Sequence, residues 1–304
     1  MADAQRDARR PVDLARRAEA LGANLPPLLA EAQRVAATVA QGVHGRRRVG
    51  QGDSFWQFRP FVTGDPFGRI DWRQSAKSSR AYIRETEWEA AQTVHLWRNT
   101  SASMHWRSSR QWPEKIARAD LLLLALAALL LRGGERAALF GERAVAGRSG
   151  LDRLAAALSR DAPQDATLPP NTSLPRHARV VLIGDFLAPL PEIRTAVSRL
   201  SAIPVSGHIL QVLDPAELDL PYQGRMRFFG VRREGEMLIP RVESVRDAYG
   251  ARMRAQQEGI AAICAAAGWS FGQHRTDHAP ETALLALFAA LGPKSARPER
   301  ERLS

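Results

Sequence analysis

Residues 179–187, RVVLIGDFL, hold four consecutive apolar side chains, Val180 to Ile183, closed by Gly184 and Asp185. A short apolar run bounded by a turn signal is the pattern of a strand buried on both faces, as in a parallel sheet. The flanking segments alternate accordingly. Downstream, LPEIRTAVSRLSAI (190–203) reads as a helix, VSGHILQVLDP (205–215) as a strand and residues 244–267 as another helix. WSFGQHRT (269–276) then reads as a last strand and PETALLALFAALG (280–292) as a last helix. Upstream, Thr93 to Arg98 is a strand, and Pro113 to Arg132 is a long helix stopped by Gly133 and Gly134. RAALFGE (136–142) is a short strand and LDRLAAALS (151–159) a helix, followed by a proline-rich surface loop at 161–178. Strands alternating with helices predict a parallel sheet covered on both faces. In such sheets, ligands bind beyond the carboxyl ends of the strands. The turn after Arg98 and Asp185 both reach that rim.

The first third of the chain differs. Residues 11–41 read as helical, with Leu28, Leu29, Ala32, Val35 and Val39 forming one apolar face and Gly42 a stop. Residues 43–92 are rich in glycine, aromatics and charges. Within them SFWQFRPFV (54–62) and RAYIRETEW (80–88) alternate as strands do, around a loop at TGDPFGRIDW (63–72). The expected organisation is therefore a helix and β-containing segment over 1–92, an α/β domain over 93–292 and a disordered tail over 293–304.

Composition narrows the function. The chain has 304 residues, 45% hydrophobic and 25% charged, with a net charge of +11. Its basic residues are nearly all arginine, lysine standing only at 77, 115 and 294. Such charge favours acidic partners, but it is spread out, Arg46, Arg47 and Arg48 being the one tight cluster, and no nucleic-acid-binding motif accompanies it. Nucleic acid is therefore not an expected partner. Cys264 is the one cysteine, in an alanine-rich helix, so neither a disulfide nor a zinc-ligand pattern exists. LLLLALAALLL (121–131) falls short of the roughly 20 residues of a membrane span. The start has no apolar signal core, and a cytoplasmic location is expected. No histidine pair has ligand spacing, no GxSxG surrounds a serine, and no Walker-type loop is present, so ATP hydrolysis would belong to a partner.

GQGDSFWQFRPFVTGDPFGRIDWRQSAKSSRAYIRETEWE (50–89), VHLWRNTSASM (94–104), VVLIGDFL (180–187) and VLDPAELDLP (212–221) together resemble the domain-of-unknown-function 58 family, which carries a von Willebrand factor A-like domain. The Gly64-Asp65, Arg69, Ile70-Asp71-Trp72 and Arg84-Glu85 elements occur in register with it. The resemblance implies a doubly wound, mainly parallel α/β domain bearing a metal-ion-dependent adhesion site. In that site an Asp-x-Ser-x-Ser turn, a threonine and a later aspartate hold a divalent ion. Ser101 and Ser103 match the serines and Asp185 the later aspartate, but Asn99 stands where the first aspartate belongs. The threonine has no clear counterpart beyond Ser149. Family members often neighbour MoxR-type AAA+ ATPases, so the resemblance implies such a partner and a role in protein maturation or assembly, without enzymatic activity.

Asn99 keeps a ligating oxygen but no charge, which weakens a site for Mg²⁺, the one cofactor the turn could hold. The plainer reading is that Asn99, Ser101 and Ser103 cap the turn by local hydrogen bonds. On these grounds the metal site, Asn99, Ser101, Ser103 and Asp185, is expected to be degenerate and empty, and Asn99→Asp to restore it. Arg98, or another arginine near the rim, would then engage an acidic partner without metal. The rival reading is a metal-dependent hydrolase or nuclease using Asp65, Asp71, Glu85 and Glu87. Against it, Asp71 and Glu85 are expected to pair with Arg69, Arg73 or Arg84. Trp56, Trp72 and Trp88 are expected to anchor their segment by packing.

Overall fold

A computed structural model of the protein describes residues 30–40, 55–62, 70–78, 80–86, 92–160, 167–230 and 235–291, with side chains throughout except at 55–59 and 83–86. The helix expected before residue 30, the Arg46–Arg48 cluster, Asp65, Glu87, Trp88 and the tail from 293 lie outside the described residues, as do the side chains of Trp56, Arg69, Arg84 and Glu85. The chain divides into two compact units, one of residues 44–92 and one joining the preceding N-terminal region to everything from Thr93 onward. Helix α1 (30–40) is thus part of the α/β unit, because Ala32, Val35, Ala36 and Val39 are buried in its core.

The smaller unit pairs β1 (Phe55–Pro60) antiparallel with β2 (Tyr82–Thr86). Between them lies one helical turn, α2 (Trp72–Ser75), capped by Asp71, whose carboxylate accepts from Gln74 N at 2.9 Å. Ser75 Oγ donates to Asp71 O (2.7 Å) and accepts from Tyr82 N (2.8 Å), which ties the turn to β2. Among the described residues Asp71 has no arginine partner, and Trp72 is 69% exposed. Of the expected partners, Arg73 makes no ion pair with Asp71, while Arg69 and the Arg84 side chain lie outside the described residues. The Asp71 carboxylate serves as a helix cap, the usual task of an aspartate immediately before a helical turn.

The α/β unit continues with β3 (Thr93–Arg98), α3 (Lys115–Arg132), β4 (Arg136–Leu139), α4 (Arg148–Arg160), β5 (Arg179–Gly184) and α5 (Leu190–Leu200). It goes on through β6 (Ser206–Leu213), α6 (Pro215–Asp219), β7 (Met226–Phe229), β8 (Glu236–Ile239), α7 (Arg246–Ala266), β9 (Ser270–Arg275) and α8 (Pro280–Ala290). Five strands form one sheet in the order β4-β3-β5-β6-β9, every neighbouring pair parallel. This is a doubly wound α/β arrangement with helices on both faces. Strand alternation sends Val94, Leu96, Val181, Ile183, Leu210 and Val212 to a layer containing α1, α3, α4 and α8. Val180, Leu182 and Ile209 face α5 and α7. The run Leu121 to Leu131 is buried all round because α3 lies at the centre of its layer. No described helix is long and apolar enough to cross a membrane.

The antiparallel β7–β8 hairpin was not anticipated from sequence, since its four-residue strands do not alternate cleanly. At the other end of β6, a Cβ on Gly207 would stand 2.0 Å from the Trp269 ring, so only glycine lets that buried indole cover the sheet. Cys264 is buried, and burial pushes its thiol up to about 12, which suits a small apolar filler.

Candidate functional site

The chain leaves β3 toward β4 on one side and returns to β5 on the other. The rim between β3 and β5 is thus the switch point where the two connections diverge, the place at which a doubly wound sheet opens a crevice. Register sets Arg98 against Ile183, and Asn99 N donates to Ile183 O at 2.8 Å, which carries the pairing one residue past the strand. Gly184 permits this approach, because a Cβ there would lie 2.8 Å from Asn99 Cβ. Beyond it, Asp185 is fixed through its carbonyl by Gln211 Nε2 (2.8 Å). The chain then turns at Phe186, which holds a left-handed φ of 46°. Gln256 Nε2 secures that turn by donating to Phe186 O (3.0 Å) and Ala188 O (2.8 Å).

Asn99, Ser101, Ser103 and Asp185 meet here in one network. Asn99 Nδ2 donates to Asp185 Oδ1 (3.0 Å), and Asn99 Oδ1 accepts from Ser101 N (2.8 Å). Ser101 and Ser103 share a hydroxyl contact of 3.0 Å, and Ser103 Oγ donates to Asp185 Oδ2 at 2.6 Å. The asparagine is suited to this role: its amide meets the carboxylate as a donor, where an aspartate would set two like charges together.

A residue that the sequence did not flag completes the network. Lys115, in the first turn of α3, is 0% exposed, and its Nζ lies 3.2 Å from Asp185 Oδ2 and 2.5 Å from Glu217 Oε1. Glu217 belongs to α6, which follows β6, so a single ammonium ties the ends of two strands to α3. The capping box of α6 holds Glu217 in place. Its Oε2 accepts from Asp214 N (2.9 Å), while Asp214 Oδ1 accepts from Ala216 N (2.8 Å). Asp214 Oδ2 accepts from Ser108 N (2.9 Å), which draws the loop after Ser103 onto the same rim. Burial lifts the Glu217 carboxyl above its ordinary range, with Lys115 and the Asp214 N–H pulling it back.

This arrangement does not fit a divalent cation. Asn99 has its oxygen turned to Ser101 N and its nitrogen to Asp185, and both Asp185 oxygens already receive donors. A positive charge stands against Asp185 Oδ2 from within the protein. The expectation that Asn99→Asp alone would restore an ion site therefore changes, because Lys115 would still be there. Ser149, the one candidate for the missing threonine, is exposed in the first turn of α4 and takes no part in the network.

Arg98 is not at the rim. It is 6% exposed, forms an ion pair with Asp120 of α3 and donates to Leu158 O (2.9 Å) at the end of α4. Strand alternation explains this, since Arg98 faces the α3 layer. Its charge is engaged inside the α/β unit. Exposed cations on the loop between Ser103 and α3 include Arg107 and Arg110, which form no ion pair with a described residue. Half-buried Trp106 and Trp112 flank them.

Among known proteins, the family model described as "Protein of unknown function DUF58" matches residues 57–259. The solved structures similar to this chain include the conserved hypothetical protein BatB from Bacteroides thetaiotaomicron. It is 13% identical, with 65% of this chain and 97% of that chain covered and a TM-score of 0.40. Another is an aerotolerance-related membrane protein from Bacteroides fragilis NCTC 9343, bearing multiple mutations to serines. It is 16% identical, with 66% and 98% covered and a TM-score of 0.39. No curated protein matches the chain.

Proposed function

The chain belongs to the DUF58 family of proteins of unknown function, and from that premise we propose that it is a non-enzymatic protein-interaction module of von Willebrand factor A-like architecture. Its partner is a MoxR-type AAA+ ATPase, and the pair acts in protein maturation or assembly. The rim at Asn99, Ser101, Ser103 and Asp185 is a degenerate adhesion site that works without metal. One observation carries this reading: the switch-point crevice is filled by its own side chains, while Arg107 and Arg110 stand exposed on the adjoining loop. In an ion-bearing site of this kind a partner's carboxylate completes the coordination shell. Here an acidic side chain of the partner meets a guanidinium instead, which can engage a carboxylate through two parallel hydrogen bonds.

The hydrolase alternative draws on Asp65, Asp71, Glu85 and Glu87. Asp71 is engaged as a helix cap, which argues against its use as a metal ligand. Affinity capture from the native cell tests the interaction. The natural chain should enrich a MoxR-type ATPase over an unrelated bait, whether or not Mg²⁺ is chelated, and Arg107→Glu/Arg110→Glu should reduce that enrichment at least several-fold. Failure of the natural chain to enrich such an ATPase contradicts the proposal.

A further inference from the structure

We propose that Lys115 is the resident cation of this rim, holding the place of a divalent ion and excluding one from the natural chain. The inference rests on reading the rim as a degenerate ion site and does not depend on which partner binds.

An ammonium that is 0% exposed survives folding only when it is paired, and Lys115 has two carboxylate partners, Asp185 and Glu217, on separate elements. Any Mg²⁺ held by Asp185 Oδ2 would stand within about 5.3 Å of Nζ, from a metal–oxygen distance of about 2.1 Å and the 3.2 Å between Nζ and that oxygen. Two cations so close in a water-poor site repel strongly. Charge balance makes the same point. Lys115 brings one positive charge where a divalent ion would bring two, so the site needs one carboxylate fewer, and position 99 is an amide. Its Nδ2 donates to Asp185, a contact that an aspartate could not make. Asn99 and Lys115 are thus a matched pair. Replacing Asn99 alone adds a third carboxylate beside a cation that cannot leave. Replacing both opens a space bounded by the introduced carboxylate, Asp185, Ser101, Ser103 and Glu217, all oxygen donors of the kind a hard cation takes.

The test uses Mn²⁺ alone on the purified full chain, following free Mn²⁺ by electron paramagnetic resonance and the melting temperature with and without the ion. The natural chain and Asn99→Asp should show no saturable binding. Asn99→Asp/Lys115→Ala should bind one Mn²⁺ per chain and melt several degrees higher in its presence. If that variant fails to fold, Asn99→Asp/Lys115→Gln, which keeps much of the length of the side chain, is read in the same way. Saturable binding by the natural chain that is lost in Asp185→Asn would overturn the proposal. So would binding by Asn99→Asp with Lys115 intact, or a folded double variant that binds nothing. No partner is present in these titrations, so their failure leaves the interaction reading standing, and loss of ATPase capture leaves this one standing.

Discussion

Lys115→Met removes the cation while nearly preserving the bulk of the side chain, so its cost reports the charge more than the packing. Deleting one member of a buried ion pair costs about 3–5 kcal/mol, because the remaining charge is left in a dry site. Two carboxylates lose their cation here, but neither is stripped bare. Asp185 keeps Asn99 Nδ2 and Ser103 Oγ, and Glu217 keeps the Asp214 N–H. The expected loss is therefore near the lower bound, about 3 kcal/mol, or about 6–12 °C in melting temperature for a unit of this size. Urea unfolding followed by circular dichroism measures it. The pH dependence has a definite sign. Burial already raises the folded-state Glu217 carboxyl, and loss of Lys115, which pulls it down, raises it further. A raised carboxyl contributes stability that is present below its unfolded value and lost as pH rises through the folded one. The deficit of the variant should thus be smallest in acid and grow toward neutrality. Neutralising all three groups, in Lys115→Met/Asp185→Asn/Glu217→Gln, should recover most of the loss. A single variant within about 0.5 kcal/mol of the natural chain, a range usual for surface substitutions, would refute the description of Lys115 as a buried, paired cation.

Gly184→Ala places a methyl group 2.8 Å from Asn99 Cβ and should cost about 1–3 kcal/mol in a urea melt, as overpacking does; full stability would contradict the close approach of β3 and β5. Asp71→Asn should be nearly neutral, since asparagine caps a helix as well as aspartate, whereas Asp71→Ala should cost about 1 kcal/mol. The thermal melts of the two variants separate the cap from an arginine pair, which Asn would also have weakened. Burial depresses the His208 and His274 imidazoles to about 4. Their contribution is full above the unfolded value and is lost as pH falls from about 6.5 toward 4, roughly 3 kcal/mol for each ring. Urea midpoints across that window should fall, and His208→Gln should flatten part of the slope.

The sheet was legible because its strands are short apolar runs and its helices have strong periodicity. RVVLIGDFL fixes β5, and adjacency of parallel strand ends brings Asn99 to Asp185. Alternation likewise placed Arg98 and Asn99 on opposite faces. It could not say that Asp120, on α3, would absorb the Arg98 charge, which is why the proposed contact with an acidic partner is assigned to the exposed Arg107 and Arg110 instead. Lys115 was missed for a physical reason: its partners lie 70 and 102 residues away, and no local pattern encodes that the start of α3 meets Asp185 and the first turn of α6. One signal was present. Lys115 is one of three lysines in a chain of 43 basic residues, and it heads a helix made mostly of leucine and alanine. Asp214-Pro215-Ala216-Glu217 could similarly have been read as a capping box.

The identity of the cation at the rim is tested most directly by nitrogen-15 NMR of the lysine side chains, which the small number of lysines makes resolvable. A buried ammonium held by two carboxylates exchanges its protons slowly, whereas an exposed one exchanges too fast to be seen. The structure predicts one protected ammonium signal at neutral pH that vanishes in Lys115→Met, weakens in Asp185→Asn and does not move when Mg²⁺ is added. Absence of that signal, or its displacement by Mg²⁺ at stoichiometric concentration, would contradict the account.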